Sequence, residues 1–230
     1  MLKLPTFLKR IACILSLMVS ASLMAKEVLS HIPENYSAAD KFVFYSHGYI
    51  VEGDNPRPVE TKHRWGLYDF PNIKKALANP SYTLIATHRK KNTDPFVYAK
   101  ALSENIRTLV KHGVKPSHIT VVGFSRGAFI TGLTSNYLAD VGVNTVLLAG
   151  CGRLISSKHA NIQVYGHVLS IYEKSDGAKS CVKLKAKSMS LTSFEEVGIN
   201  TGLSHGAFYR PNDAWLIPVK NWLNVKMNLG

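Results

Sequence analysis

Apolar and polar positions fall into alternating short blocks along this chain. Runs rich in β-branched and aromatic residues at 42–46, 82–87, 119–122, 145–149 and 168–172 read as buried strands, with 193–197 as a candidate for the last one. Helical stretches lie between them. Asp69 and Pro71 cap and start a short helix to Ala78, which Asn79-Pro80 ends. Asp94-Pro95 opens a longer helix to His112, with Leu102, Ile106, Leu109 and Val110 on one stripe and Gly113 as its stop. Small and apolar residues at 128–138 suit a third helix. The segment 211–225 suits a last one, with Trp215, Leu216, Val219, Trp222 and Leu223 turned inward and Pro218 expected to kink or divide it. At 183–187 lysines alternate with Leu and Ala. The long stretch 49–68, with Gly53, Pro56, Pro58 and Gly66, reads as a loop, and loops of that length are uncommon unless functional. Strand and helix alternate throughout, so the expected fold class is α/β, a mostly parallel sheet with helices on both faces.

The first 25 residues stand apart from this pattern. Lys3, Lys9 and Arg10 precede an apolar stretch that is short for a membrane span and contains serines, and Ala21 or Ala25 offers a small residue for cleavage. Residues 1–25 therefore read as a signal peptide. Cys13 lies at the start of the apolar stretch, three positions after Arg10, which argues against a lipoprotein cysteine. The expected location is exported, periplasmic or secreted, with no stable membrane insertion after cleavage. Residues 26–230 suit one domain with one core.

The chemistry gathers at Gly123-Phe124-Ser125-Arg126-Gly127, between a predicted strand and a predicted helix. Gly-x-Ser-x-Gly in that setting forces a sharp turn with the serine at its tip, because a Cβ at either glycine would clash with strand and helix. The strained turn holds the Ser125 hydroxyl clear of the sheet and puts the Arg126 N–H at a helix N-terminus, where a developing oxyanion can sit. Upstream, the strand at 42–46 runs into His47-Gly48-Tyr49. Downstream, the strand at 168–172 is followed by Glu173 and Asp176, and His205 sits in Gly202-Leu203-Ser204-His205-Gly206.

Serine, acid and histidine in that order, each just past a predicted strand, resemble the α/β-hydrolase family. The resemblance covers nearly all of the chain beyond the first forty residues. It implies Ser125 as nucleophile, His205 as general base and later acid, and Asp176 as the group that orients the imidazole, with Glu173 as its rival. Tyr49 and Arg126 would donate backbone N–H groups to the oxyanion, while His47 would shape its loop by packing or hydrogen bonding. Residues 26–40 are too polar for the two antiparallel edge strands of larger members, so the sheet should be trimmed at its N-terminal edge. The short connection between Ala149 and Val168 leaves no room for a cap domain. Strands ending near Ala149 and Tyr172 would be neighbours, which lets Cys151 and Cys181 meet as a disulfide in an oxidising compartment.

The expected activity is cleavage of a carboxylic ester through an acyl-enzyme. Thioesterase, amidase and acyltransferase chemistry remain open, because the fold hosts all of them. No cofactor and no metal are expected, since Gly-x-Gly-x-x-Gly, the P-loop, Cys-x-x-Cys, His-Glu-x-x-His and EF-hand spacings are missing from the sequence. The formal net charge is +13, and subtracting Lys3, Lys9 and Arg10 leaves +10. That balance favours anionic partners, although no nucleic-acid motif accompanies it. Arg57, Lys62, His63, Arg64, the basic run 88–91, Arg126 and Arg153 would all fall on loops at one rim, mixed with Glu52, Asp54, Glu60 and Asp94. A small or polymer-borne ester, neutral or anionic, is the expected substrate. The rival from another class is a non-catalytic binding module for an anionic partner.

Overall fold

A computed structural model describes residues 26–229; the expected signal peptide at 1–25 lies outside the described residues. In chain order the strands are β1 (Phe42–Ser46), β2 (Val59–Glu60), β3 (Gly66–Leu67), β4 (Thr83–Ile85), β5 (Ile119–Phe124), β6 (Asn144–Leu148), β7 (Gly166–Glu173) and β8 (Leu191–Ile199). The helices are α1 (Phe70–Leu77), α2 (Pro95–Lys111), α3 (Arg126–Tyr137), α4 (Cys151–Leu154), α5 (Val182–Lys187) and α6 (Asp213–Lys226). Six strands make one parallel sheet in the order β4-β1-β5-β6-β7-β8, and β2 pairs antiparallel with β3 inside the long loop.

The two-residue period of a strand decides which side chains meet which helices. Val43 and Tyr45 of β1 face Ile73 and Leu77 of α1 and Trp215 and Val219 of α6. Phe42 and Phe44 face the other way, toward Leu102, Ile106 and Leu109 of α2. On that second face Ile130 and Leu133 of α3 pack with Leu147 and Val168. Helices therefore cover both faces, as the alternation of strands and helices implied.

The caps act as their residue types dictate. Asp69 accepts from the Asn72 N–H, and Asp94 from the N–H groups of Phe96 and Val97, which satisfies donors that a helix start leaves orphaned. At the N-terminal edge there is no pair of antiparallel strands among the described residues. Leu29 alone bridges to β4, donating to Leu84 O and accepting from Ala86 N–H at 2.9 and 2.8 Å. The connection from β6 to β7 holds only α4 and one turn of 3-10 helix, and no cap domain rises from it.

Three stretches gain definition in the structure. The Lys-Leu-Lys-Ala-Lys segment is a helical turn, α5, with Leu184 buried; two exposed lysines flank one buried leucine equally well in a helix or a strand. The 49–68 stretch is not structureless, since it contains a 3-10 turn at Tyr49–Val51 and the β2–β3 pair. Pro218 does not divide α6, which is one helix of 14 residues. Trp215, Leu216, Val219, Trp222 and Leu223 are all buried. At roughly 1.5–3 kcal/mol for each such side chain, their packing outweighs the ~3 kcal/mol that an interior proline costs. Among the described residues no helix is long and apolar enough to cross a membrane.

The strand order sets the position of the site. From β1 the chain goes to β4 on one side, then crosses back to β5 on the other. The loops leaving β1 and β5 therefore diverge over opposite faces, and a crevice opens between them at the carboxyl ends of the strands. His47-Gly48-Tyr49 leaves from one side of that crevice and Ser125 from the other.

Candidate active site

Ser125 occupies the turn between β5 and α3 with φ 56° and ψ −115°, a conformation that side chains with a Cβ rarely adopt. The turn is held by hydrogen bonds on both sides. The Ser125 N–H donates to Leu148 O at 2.9 Å, and its carbonyl accepts from Phe129 N–H at 3.0 Å. Both flanking glycines are sterically required: a Cβ on Gly127 would overlap the Ser46 carbonyl of β1, and one on Gly123 would overlap the carbonyl of Gly127. Strand β5 and helix α3 therefore cross in contact, with Ser125 at the tip of the turn lining the crevice.

Tyr49 and Arg126 line one cavity together with Ser125. Among the described residues neither Tyr49 N–H nor Arg126 N–H has a hydrogen-bond acceptor. The preceding amide, Gly48 N–H, is taken by the Tyr68 hydroxyl at 3.1 Å. His47 braces the loop from beneath. It is fully buried, its Nδ1 donates to Gly48 O at 2.8 Å, and its Nε2 accepts from Arg89 N–H at 3.0 Å. Burial, with the Arg89 charge beside it, pushes its imidazole down to about 2, so it stays neutral and both nitrogens remain committed. His47 is thus a strut between the loops after β1 and β4.

His205 sits in a 3-10 turn at Ser204–Phe208 beyond β8. Its Nδ1 donates to Asp176 Oδ2 at 2.6 Å, and Asp176 Oδ1 accepts from Ala178 N–H at 3.1 Å. The imidazole rests between Phe124, 4.7 Å away between ring centres, and Trp65 at 5.1 Å. Trp65 comes from the long loop and was not singled out by the sequence; nothing in the spacing of residues 49–68 shows that an indole there reaches a histidine 140 positions later.

Glu173 does not reach His205. Its buried carboxylate accepts from Ser175 N–H and Oγ on one side, and from Thr201 and Gly202 N–H at 2.9 and 3.2 Å on the other. It therefore joins the loop that carries Asp176 to the loop that carries His205. Cys151 and Cys181 are paired with their Cα atoms 5.2 Å apart, tying the start of α4 to the start of α5 and enclosing the Asp176 loop.

Ser125 and His205 line two adjoining cavities, without a direct hydrogen bond between them. Such contacts are often loose until substrate is bound. The cavity of about 320 Å³ is apolar and aromatic, with Ile50, Trp65, Tyr68, Phe124 and Tyr209 in its wall. The one of about 500 Å³ is lined by Asn92, Arg126, Gly150 and Arg153 among others.

Part of the expected rim of cations is spent on acids of the same loops. Arg57 forks onto Asp69 at 3.1 and 2.8 Å, and His63 lies 3.2 Å from Glu60. Arg89 and Glu52 are not rim residues at all: their side chains are 0% and 1% exposed. Glu52 Oε1 lies 3.4 Å from Arg89 Nε and 3.0 Å from Arg126 Nε, so one buried carboxylate serves two guanidinium groups. The loop after β1 folds back under the elbow to make this cluster, which no spacing in the sequence reveals.

No protein-family model and no curated protein matches the chain. Solved structures do. SOBER1 of Arabidopsis thaliana superposes over 82% of this chain and 100% of its own, at 13% identity and a TM-score of 0.53. Esterase 2 of Thermogutta terrifontis, phosphoramylated by tabun, covers 86% of this chain and 88% of its own, at 14% identity and a TM-score of 0.57. Esterase PE8 covers 86% and 99%, at 15% identity and a TM-score of 0.50. With the parallel strand order and the strained serine turn, these likenesses show that the chain has the α/β-hydrolase fold.

Proposed function

We propose that the protein is a serine hydrolase that cleaves a carboxylic ester through an acyl-enzyme. Ser125 Oγ attacks the ester carbonyl carbon while His205 Nε2 takes its proton, and Asp176 holds the resulting imidazolium in place. The tetrahedral oxyanion accepts hydrogen bonds from the N–H groups of Tyr49 and Arg126. Collapse expels the alcohol, which leaves with the proton from His205, and the acyl group stays on Ser125. Water then attacks, again giving a proton to His205. The second collapse releases the acid and returns the proton to Ser125.

The observation that carries this reading is the Asp176–His205 pair beside a serine in a strained turn, with the two amides unengaged. It matches the order of roles that ester hydrolysis requires. Two of the structures this chain resembles are themselves called esterases, and one is phosphoramylated by tabun. Export fits the same reading: the signal-like leader, the Cys151–Cys181 pair and an open site suit an enzyme working outside the cytoplasm.

A fluorophosphonate probe should label the protein at Ser125, and a short-chain aryl ester should be hydrolysed. Ser125→Ala or His205→Ala should lower kcat by roughly 10⁴-fold or more with folding intact, because triad members act as a unit. Absence of both labelling and turnover would return the fold to the class of non-catalytic binding modules.

A further inference from the structure

The two cavities beside Ser125 differ in charge. The smaller is walled by aromatic rings and carries no cation. The larger contains Arg126 and Arg153, and no Asp or Glu side chain lines it. Arg126 is pinned from behind. Its Nε lies 3.0 Å from Glu52 as an ion pair without hydrogen-bond geometry, and its Nη2 donates to Thr93 O at 2.6 Å, so Nη1 has no partner among the described residues. Its guanidinium lies 5.1 Å from the Tyr49 ring centre. Arg153 sits 5.0 Å from the Phe129 ring centre, and among the described residues no carboxylate lies within salt-bridge distance of it. Stacking on a ring fixes the plane of a guanidinium and leaves its edge donors for a planar or tetrahedral oxyanion.

Glu52 does not cancel this field. Its one negative charge is shared between Arg89 and Arg126, so the cluster carries one positive charge in excess, before Arg153, which lines the same cavity, is added. A cleft with low-dielectric walls and one sign of charge concentrates ions of the other sign.

We infer that the larger cavity is an anion subsite, and that the substrate is an ester bearing a carboxylate or phosphate on the half that lies toward Arg126 and Arg153, with an apolar group on the half that lies against Trp65, Phe124 and Tyr209. This rests on the ester-hydrolase reading and narrows it. Arg153 is the specificity residue, since its donors are uncommitted. Arg126 contributes a fixed second donor while its backbone N–H serves the oxyanion.

The test compares kcat/KM for aryl butyrate with aryl hemisuccinate, and for phenyl butyrate with 4-carboxyphenyl butyrate, so that the anion lies on the acyl half or on the alcohol half. One of the two anionic esters should be preferred about tenfold or more at low salt. The preference should shrink as salt shortens the Debye length from ~10 Å at 0.1 M to ~3 Å at 1 M. Arg153→Gln should bring the anionic-to-neutral ratio down about tenfold, and Arg153→Lys should restore part of it. Binding of phenyl phosphate to the Ser125→Ala protein, read by calorimetry, should weaken about tenfold with Arg153→Gln. Hydrolysis of the neutral esters with no anionic preference, or a ratio unmoved by Arg153→Gln, overturns the subsite and leaves the hydrolase standing. Phenyl phosphate binding that depends on Arg153, with no ester turned over and no fluorophosphonate labelling, leaves the subsite standing and overturns the hydrolase.

Discussion

Glu52→Gln is the substitution on which the reading of the buried cluster depends most. The change keeps the size of the side chain and removes its charge. Arg89 then has no carboxylate partner, and its side chain is 0% exposed. Breaking a buried pair by removing one partner costs about 3–5 kcal/mol, because the remaining charge is left without compensation. Several contacts moderate the loss: Arg89 keeps its hydrogen bond to His47 O and its position 5.6 Å from the Tyr98 ring centre. Arg126, 19% exposed, can turn toward water. The lower end, ~3 kcal/mol, is therefore the expected destabilisation, which for a domain of this size lowers the melting midpoint by roughly 6–12 °C. The same carboxylate anchors Arg126, and the Glu52 N–H donates to Tyr49 O at 2.9 Å. Ester turnover should consequently fall in the fraction that stays folded, through kcat more than KM. Urea unfolding and steady-state kinetics on wild type, Glu52→Gln and the exposed control Asp54→Asn read these effects. Adding Arg89→Met to Glu52→Gln should recover part of the stability, since the stranded charge is then removed. A Glu52→Gln protein within about 0.5 kcal/mol of wild type, the range of ordinary surface changes, would refute the argument.

Two further predictions concern the loops around Asp176. Burial alone would raise the Glu173 carboxyl, but hydrogen bonds from Ser175, Thr201 and Gly202 outweigh it and hold the group below the usual glutamate range. Its contribution to stability is therefore complete above the unfolded value near ~4.3 and is lost as pH falls through the depressed folded value. Melting curves of wild type and Glu173→Gln should lie apart above about pH 5 and converge toward acid; a gap that is constant with pH counts against this. Removing the Cys151–Cys181 link, which closes a separation of 30 residues, should cost about 3–4 kcal/mol in the chain-entropy model. Reduction should lower the melting temperature, and thiol titration of the native protein should find neither cysteine free.

Much of the fold was legible in the chain because it rests on local chemistry. The caps at Asp69 and Asp94, the glycines of the serine turn and the strands of the central sheet each follow from a few neighbouring residues. The short connection between Ala149 and Val168 was enough to exclude a cap domain. The order of Ser125, Asp176 and His205 was readable for the same reason, since each stands just past its own strand. Other stretches were locally ambiguous: the 183–187 alternation fits a short helix as well as a strand, and Pro218 stays inside one helix because of side-chain burial that only the assembled core supplies.

The rest was decided by contacts between residues far apart in sequence. Asp176 rather than Glu173 meets His205, because Glu173 is spent on the amides of Ser175, Thr201 and Gly202. Trp65 walls the site only because the long loop folds back across the end of the sheet. The sharpest difference concerns charge. The sequence alone determined that the chain is basic and that cations and acids share one rim. Which of those charges are spent on each other depends on tertiary packing: burial makes an unpaired charge too costly to keep, so Glu52, Arg89 and Arg126 close into one cluster, Arg57 turns to Asp69, and Arg153 is left facing the cavity beside Ser125.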